Sequence, residues 1–284
     1  MTAFVYILLC LLWGSTWLAI KIGLGEAPPL TTAAIRFILA MLILSGIGAI
    51  KGYKYPRRFG KLIRLGYPGL YMYGISYAAV YFAEQRISSG LTATLFAAFP
   101  FMVALLSYFI YGTEKMNVKG WLGMAVGFAG VVVISWDTFQ TSTDLFVGTL
   151  LALGGPLAAA YGIVLHKHHH VKENIVVAVN VQMMVGGLFL VAGALIFESF
   201  ADFAVNIESI GSIVYLALFG TVITFLGYYW LVRHTKLVTV SLVAFITPLV
   251  AILIGTLVAD ETLTIPIAIG TLLILSGVLL VVKR

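Results

Sequence analysis

The chain has 284 residues, 61% of them hydrophobic and only 10% charged, with a mean hydropathy of +1.07; that balance excludes an ordinary soluble domain and indicates a polytopic membrane protein. The formal net charge of +6 does not describe a nucleic-acid binder, because the basic residues fall in short loops between apolar runs and form no stripe on a polar surface. The single cysteine, Cys10, excludes an intrachain disulfide and lies inside the first apolar run, where it packs as a small apolar residue.

Taken in order, apolar runs long enough to cross about 30 Å of hydrocarbon lie at about 3–23, 30–50, 65–84, 91–112, 118–136, 146–166, 174–196, 209–232, 238–258 and 265–282. The fold class expected is therefore an all-α membrane protein of ten transmembrane helices. The first run has no charged segment before it and no small-x-small cleavage site, so it is read as a retained helix rather than a signal peptide. The longest gap, Lys51 to Arg64, reads as a basic loop. With the N-terminus inside, the inner segments hold every Lys and Arg except Lys21 and Arg86 at the outer ends and Arg36 within the membrane. The positive-inside rule then places both termini in the cytoplasm.

The chain also repeats. The run Leu91–Glu114 returns as Thr239–Glu261, with Pro100 and Pro248 at matching places, and the same offset of about 148 brings Tyr81 onto Tyr229 and Arg86 onto His234; a one-residue slip then aligns Glu114 with Glu261 and Gly130 with Gly277. The units are 1–136 and 146–284, with five spans each. Because five is odd, the second must enter the membrane in the opposite sense, which is the inverted-repeat architecture of alternating-access carriers. Each proline deprives a carbonyl four residues back of its donor, that of Phe96 and that of Ala244, and the two bends are candidate hinges.

The opening WGSTW (Trp13–Trp17), Arg36 early in the second span, and SSGLTATLFAAFPFMVALLSYFIYGTE followed by a glycine-spaced helix resemble the EamA family of the drug/metabolite transporter superfamily. The resemblance covers essentially the whole chain. It implies a multi-pass carrier of the inner (plasma) membrane, generally an exporter of amino acids or other small metabolites, without a cofactor and without enzymatic activity. The second unit departs from the pattern: its first helix has no tryptophan, and Asn180 stands where Arg36 is in the first, which argues against a symmetric substrate site.

Candidate substrate-binding residues follow from polarity inside apolar runs. Arg36 is costly at that depth, by about 2.5–3.5 kcal/mol on insertion scales; it either holds a substrate carboxylate, pairs with Glu84, or snorkels. Tyr77 and Tyr81 on the third span, with Tyr73, and Tyr228 on the eighth either line a cavity or pack between helices. Trp13 and Trp17 share a face with Thr16 and Ile20 and either stack on cargo or pack the core. Tyr161 follows the helix-interior Pro156, and Gln182 bonds either to cargo or to another helix. Tyr67, Tyr71 and Tyr111 suit the aromatic belts. Glu84 is the candidate for coupling; since no acid lies at mid-depth, facilitated diffusion or exchange is favoured over proton antiport. The glycines of the fifth span, Gly120, Gly123, Gly127 and Gly130, and Gly270 and Gly277 of the tenth, form small-residue seams for a neighbouring helix or a second subunit, so a homodimer is one expectation. HKHHH (His166–His170) reads as a basic loop rather than a metal site, lacking Cys or carboxylate at a ligand spacing. Glu114 and Glu261 are expected to cap the helices that follow them. The cargo best suited to an arginine among aromatics is a zwitterionic amino acid; nucleosides and drug-like cations remain alternatives, and an intramembrane enzyme lacks a cluster of nucleophile, base or metal ligands.

Overall fold

In hydrocarbon no water satisfies the backbone, so a chain this apolar must close its hydrogen bonds within helices. The computed structural model describes residues 2–112, 117–169, 173–237, 240 and 243–282, excluding the side chains of 245, 281 and 282; among them there is no strand. Ten crossings follow one another. They are α1 (Thr2–Leu24), α2 (Pro29–Ile50), a third built from α3 (Phe59–Gly66), a π-helical turn (Leu70–Ile75) and α4 (Ser76–Glu84), and a fourth built from α5 (Ser89–Phe96) and α6 (Phe99–Tyr111). Then come α7 (Val118–Thr141), α8 (Thr143–His168), α9 (Ile175–Phe197), an eighth made of α10 (Ile207–Ala217), a second π turn (Leu218–Ile223) and α11 (Thr224–His234), α12 (Val243–Val258) and α13 (Ile265–Val282). Large apolar side chains such as Phe109, Phe128, Trp136, Leu188 and Leu272 are exposed around the bundle, as a lipid-facing surface requires.

The helix starts are written in the sequence. Ser88, Asn117, Ser142, Asn174 and Asn206 each accept a backbone N–H of the following first turn, and Pro29 opens α2 where no donor is missed. The third crossing starts earlier than its hydropathy indicates: Phe59–Gly66 is helical although it carries Lys61 and Arg64, so part of the expected basic loop is the first turns of this crossing. Pro100 divides the fourth crossing, with Ala97 and Ala98 between the two helical pieces, whereas Pro248 lies inside an unbroken helix. The two proline-bearing runs are therefore similar in sequence and different in form.

Both π turns occur at the same place in the repeat, 70–75 and 218–223, each residue displaced by 148. The helix contacts pair in the same way. α2 packs on α9 and α7 on α13; α1 packs on α12 while α8 packs on α5 and α6; α8 packs on the first π turn and α4 while α1 packs on α10 and α11.

The glycine seams face each other within the chain. A Cβ on Gly130 would lie 2.5 Å from the Gly270 carbonyl oxygen, and one on Gly277 would lie 2.4 Å from that of Gly123. α7 and α13 thus meet backbone to backbone, so these seams serve a neighbouring crossing rather than requiring a second subunit. Glu114 and His170 lie outside the described residues. Gly277→Val is expected to lower the thermal unfolding midpoint in detergent by the equivalent of about 1–3 kcal/mol of overpacking. Gly154→Ala, where an added Cβ meets nothing within 4 Å, leaves it unchanged or slightly raised.

Candidate functional site

The helical spacing of α1 gathers Trp13, Thr16, Trp17 and Ile20 on one face, and that face lines a partly enclosed cavity of about 80 Å³ between the crossings. A water molecule takes up about 10–15 Å³ on this measure, so the space holds several waters or part of a small solute. Ser76, Tyr77 and Val80 close it from α4, Phe96 and Phe99 from either side of the Pro100 break, Phe225 and Tyr228 from α11, and Ala244 and Thr247 from α12. Phe96 and Ala244 are the residues whose carbonyls the two prolines deprive of a donor. The Thr247 hydroxyl donates to the carbonyl of Ala244 at 3.2 Å.

Arg36 also lines the cavity and is 1% exposed. Its Nε donates to Thr221 Oγ1 at 2.8 Å, Nη2 to the Gly220 carbonyl at 3.0 Å, and Nη1 to the Tyr81 hydroxyl at 3.4 Å. Gly220 and Thr221 belong to the second π turn. A π turn shifts the i→i+4 ladder out of register, and here the segment presents acceptors to a cation of another crossing. The guanidinium also stands over the Tyr77 ring, 4.9 Å from its centroid. No carboxylate lies within 4 Å: among the described residues the ion pair at that range is Arg86–Asp144. The alternative Arg36–Glu84 pair is therefore not formed, and burial excludes snorkelling. Gly220 is required here, since a Cβ would meet Thr16 at 2.6 Å and Arg36 Nη2 at 3.2 Å.

The lining is rich in unused polar atoms. Trp17 Nε1, Ser76 Oγ and Tyr228 OH are buried without a hydrogen-bond partner, and three of the five Arg36 N–H groups are engaged by the bonds above. No acidic residue lines the cavity among the described residues. Trp13 is better satisfied, with Nε1 donating to the Gly220 carbonyl at 3.3 Å and its ring 5.2 Å from that of Tyr228.

Of the residues singled out from sequence, Trp13, Trp17, Arg36, Tyr77 and Tyr228 come together around this space. Three do not line it. Tyr81 is fully buried behind it and holds Arg36. Tyr161 packs edge-on against Tyr71, centroids 4.7 Å apart. Gln182 is fully buried in a separate network, its Nε2 2.8 Å from His166 Nδ1 and its Oε1 accepting from the Tyr229 hydroxyl. The other described rings of HKHHH point elsewhere: His168 stacks on Tyr111 and His169 contacts Tyr67. Ser76, Phe225, Thr247 and Thr221 escaped the sequence reading. Ser76 was within reach of it, since it falls three residues after Tyr73 and four before Val80.

The acid-bearing end of the bundle is tied by main-chain contacts. Lys21 Nζ donates to the carbonyls of Glu84 and Ile87 at 2.5 and 3.0 Å. Glu198 accepts from the N-H groups of Leu30 and Thr31, both at 2.7 Å, at the start of α2. Glu261 accepts from the N–H groups of Ser89 and Gly90 at 2.8 and 3.0 Å. It therefore caps α5, not the helix that follows it, because its loop folds back across the bundle. At the opposite end a hollow of about 730 Å³ is lined by Lys167, His168, Arg233, His234 and Lys236.

The EamA-like transporter family matches residues 1–136 and 146–283. The chain is 28% identical over 257 residues to the "uncharacterized inner membrane transporter YedA" of Escherichia coli (strain K12), covering 90% of this chain and 82% of that protein. It is 27% identical to the "uncharacterized transporter YoaV" of Bacillus subtilis (strain 168), covering 94% and 92%. A solved crystal structure shares the fold with a TM-score of 0.73 at 16% identity, covering 99% of this chain and 97% of that one.

Bonded and unbonded groups should separate on mutation. Tyr229→Phe leaves Gln182 Oε1 without its donor and is expected to destabilise the protein by about 1–3 kcal/mol. Tyr228→Phe removes a polar atom that has no partner and is expected to hold or raise the midpoint of thermal unfolding in detergent. Equal losses in both variants would contradict this assignment.

Proposed function

The chain belongs to the EamA-like transporter family, and from that premise we propose that it is a secondary transporter which exposes the Arg36 cavity alternately to either face of the cell membrane and exports a small zwitterion, an amino acid with an apolar side chain. One observation carries the cargo reading. A buried cation with unused N–H groups stands beside three orphaned polar atoms in a lining without a carboxylate. A carboxylate or carbonyl satisfies donors of that kind. Aromatic faces at Trp17, Phe96 and Tyr228 suit an apolar side chain and, through their π-faces, an ammonium. A cationic drug is disfavoured by Arg36 and by the lack of an acid to receive it. A nucleoside has the ring but not the carboxylate.

The access mechanism rests on the repeat. Two units of five crossings whose contacts and π turns match at one offset are expected to lie in opposite senses in the bilayer, with the site at their seam. The distribution of Lys and Arg puts both termini in the cytoplasm. Pro100 and Pro248 flank the cavity on the fourth and ninth crossings and serve as the hinges, the former being the weaker point because the helix is already interrupted there.

Purified protein in liposomes loaded with unlabelled L-leucine or L-phenylalanine is expected to accumulate the labelled amino acid by counterflow. Arg36→Gln is expected to reduce that flux by about tenfold or more, the scale of one charge-assisted hydrogen bond. Counterflow of uridine or of a quaternary ammonium, with none of either amino acid, contradicts the cargo reading.

A further inference from the structure

Among the described residues Glu84 is the acid that is buried and unused. It ends α4 fully buried, and neither carboxyl oxygen has a hydrogen-bond partner. Four other acids of that end are employed: Glu198 and Glu261 hold helix starts, Asp144 pairs with Arg86, and Glu26 accepts from Asn206.

The charged groups that face Glu84 do not satisfy it. From α1 comes Lys21, whose ammonium donates to the carbonyls of Glu84 and Ile87 and makes no bond to the carboxyl. From α2 comes Arg36, which bonds Thr221, Gly220 and Tyr81 and makes no bond to the Glu84 carboxyl. The loop after α12 brings Glu261, a like charge engaged with Ser89 and Gly90. α5 has no titratable side chain, and on α8 Asp144 is turned to Arg86. On its own helix Tyr77 and Tyr81 face Arg36. A carboxylate in such a place receives no hydrogen bond in exchange for its water, so the neutral acid is the form that fits.

We propose that Glu84 is the proton-carrying residue of the transport cycle: it holds a proton while the acid-bearing end is shut and releases it to water, as carboxylate and hydronium, when that end opens. Opening requires Lys21 to leave the carbonyls of Glu84 and Ile87 and Glu261 to leave the start of α5, which admits water to the carboxyl. One turn deeper on the same helix, Val80 lines the cargo cavity. The separation that hydrates Glu84 therefore also uncovers the cavity, and proton release and cargo exposure become one event. Burial, rather than depth along the helix, is what makes this acid suitable for coupling, and the proposal is the alternative to the facilitated diffusion or exchange expected from sequence.

The inference rests on the alternating-access reading, and its test follows accessibility rather than cargo, so the two can fail separately. In a Cys10→Ala background, Ile87→Cys places a reporter that is 2% exposed at the closed end, and Ala201→Cys places an exposed one at the same end. Both are labelled with a membrane-impermeant maleimide in phosphatidylcholine–phosphatidylglycerol nanodiscs. With Glu84 intact, the rate at 87 relative to 201 is expected to rise about fivefold or more between about pH 5.5 and pH 8, as loss of the proton shifts the population toward the open state. Glu84→Gln is expected to give a low, flat ratio and Glu84→Asp to restore the rise. A flat ratio with Glu84 present, an unchanged rise in Glu84→Gln, or a profile as flat in Glu84→Asp as in Glu84→Gln overturns the proposal.

Discussion

The constraint on which the centre of this structure depends is the burial of the Arg36 guanidinium among hydrocarbon without a counter-charge. A cation there must find acceptors or be expelled. The acceptors come from a break in helical regularity: the π turn at 218–223 offers the Gly220 carbonyl and the Thr221 hydroxyl. That one arrangement links the second crossing to the eighth, forbids a side chain at position 220, and fixes Tyr81 and Tyr77 around the cation. Neutral acceptors hold the guanidinium in place and leave its charge uncancelled. The same geometry that makes the helix packing specific therefore leaves the cavity with a positive wall.

Around this centre the chain is fastened in two different ways. Along α7 and α13, glycines remove side chains so that backbones touch, a van der Waals contact suited to a medium in which apolar residues gain nothing by leaving lipid. At the acid-bearing end, ions grip helix termini: Lys21 on closing carbonyls, and Glu198 and Glu261 on opening N–H groups. The first kind of contact is broad and difficult to undo. The second is a few directional bonds at the edge of water, which can be exchanged for hydration. Close backbone packing along one pair of crossings and a few directional bonds at one end are the combination that suits the proposed alternating access.

Hydropathy alone located the ten crossings, because length and apolarity are what the bilayer measures. It missed the start of the third, where Lys61 and Arg64 lie on a helix whose charged turns extend beyond the apolar run. The α1 face of Trp13 and Trp17 was legible from helical spacing, and so was the anomaly of Arg36. What Arg36 bonds to was not, because a π turn leaves no composition signal and its acceptors there are 184 and 185 positions away in sequence. Gln182 and Tyr161 show the converse: a polar residue in an apolar helix must have a partner, but sequence does not say whether that partner is cargo or another helix. Glu261 was expected to cap the nearest helix start and caps a distant one, since a loop that folds back is a tertiary fact. Pro100 and Pro248, alike in context, differ in outcome because neighbours decide whether a freed carbonyl is re-satisfied locally, as the Thr247 hydroxyl does for Ala244.

Transport of a zwitterion through this cavity requires that a cargo carboxylate complete the bonding of Arg36. A structure of the chain determined with L-leucine bound tests this most directly. The carboxylate is predicted within about 3 Å of an Arg36 Nη atom, with Trp17 Nε1 or Tyr228 OH among its other donors and the side chain against Phe96. Leucine bound at the basic hollow instead, or bound in the cavity with its carboxylate turned from Arg36, contradicts it.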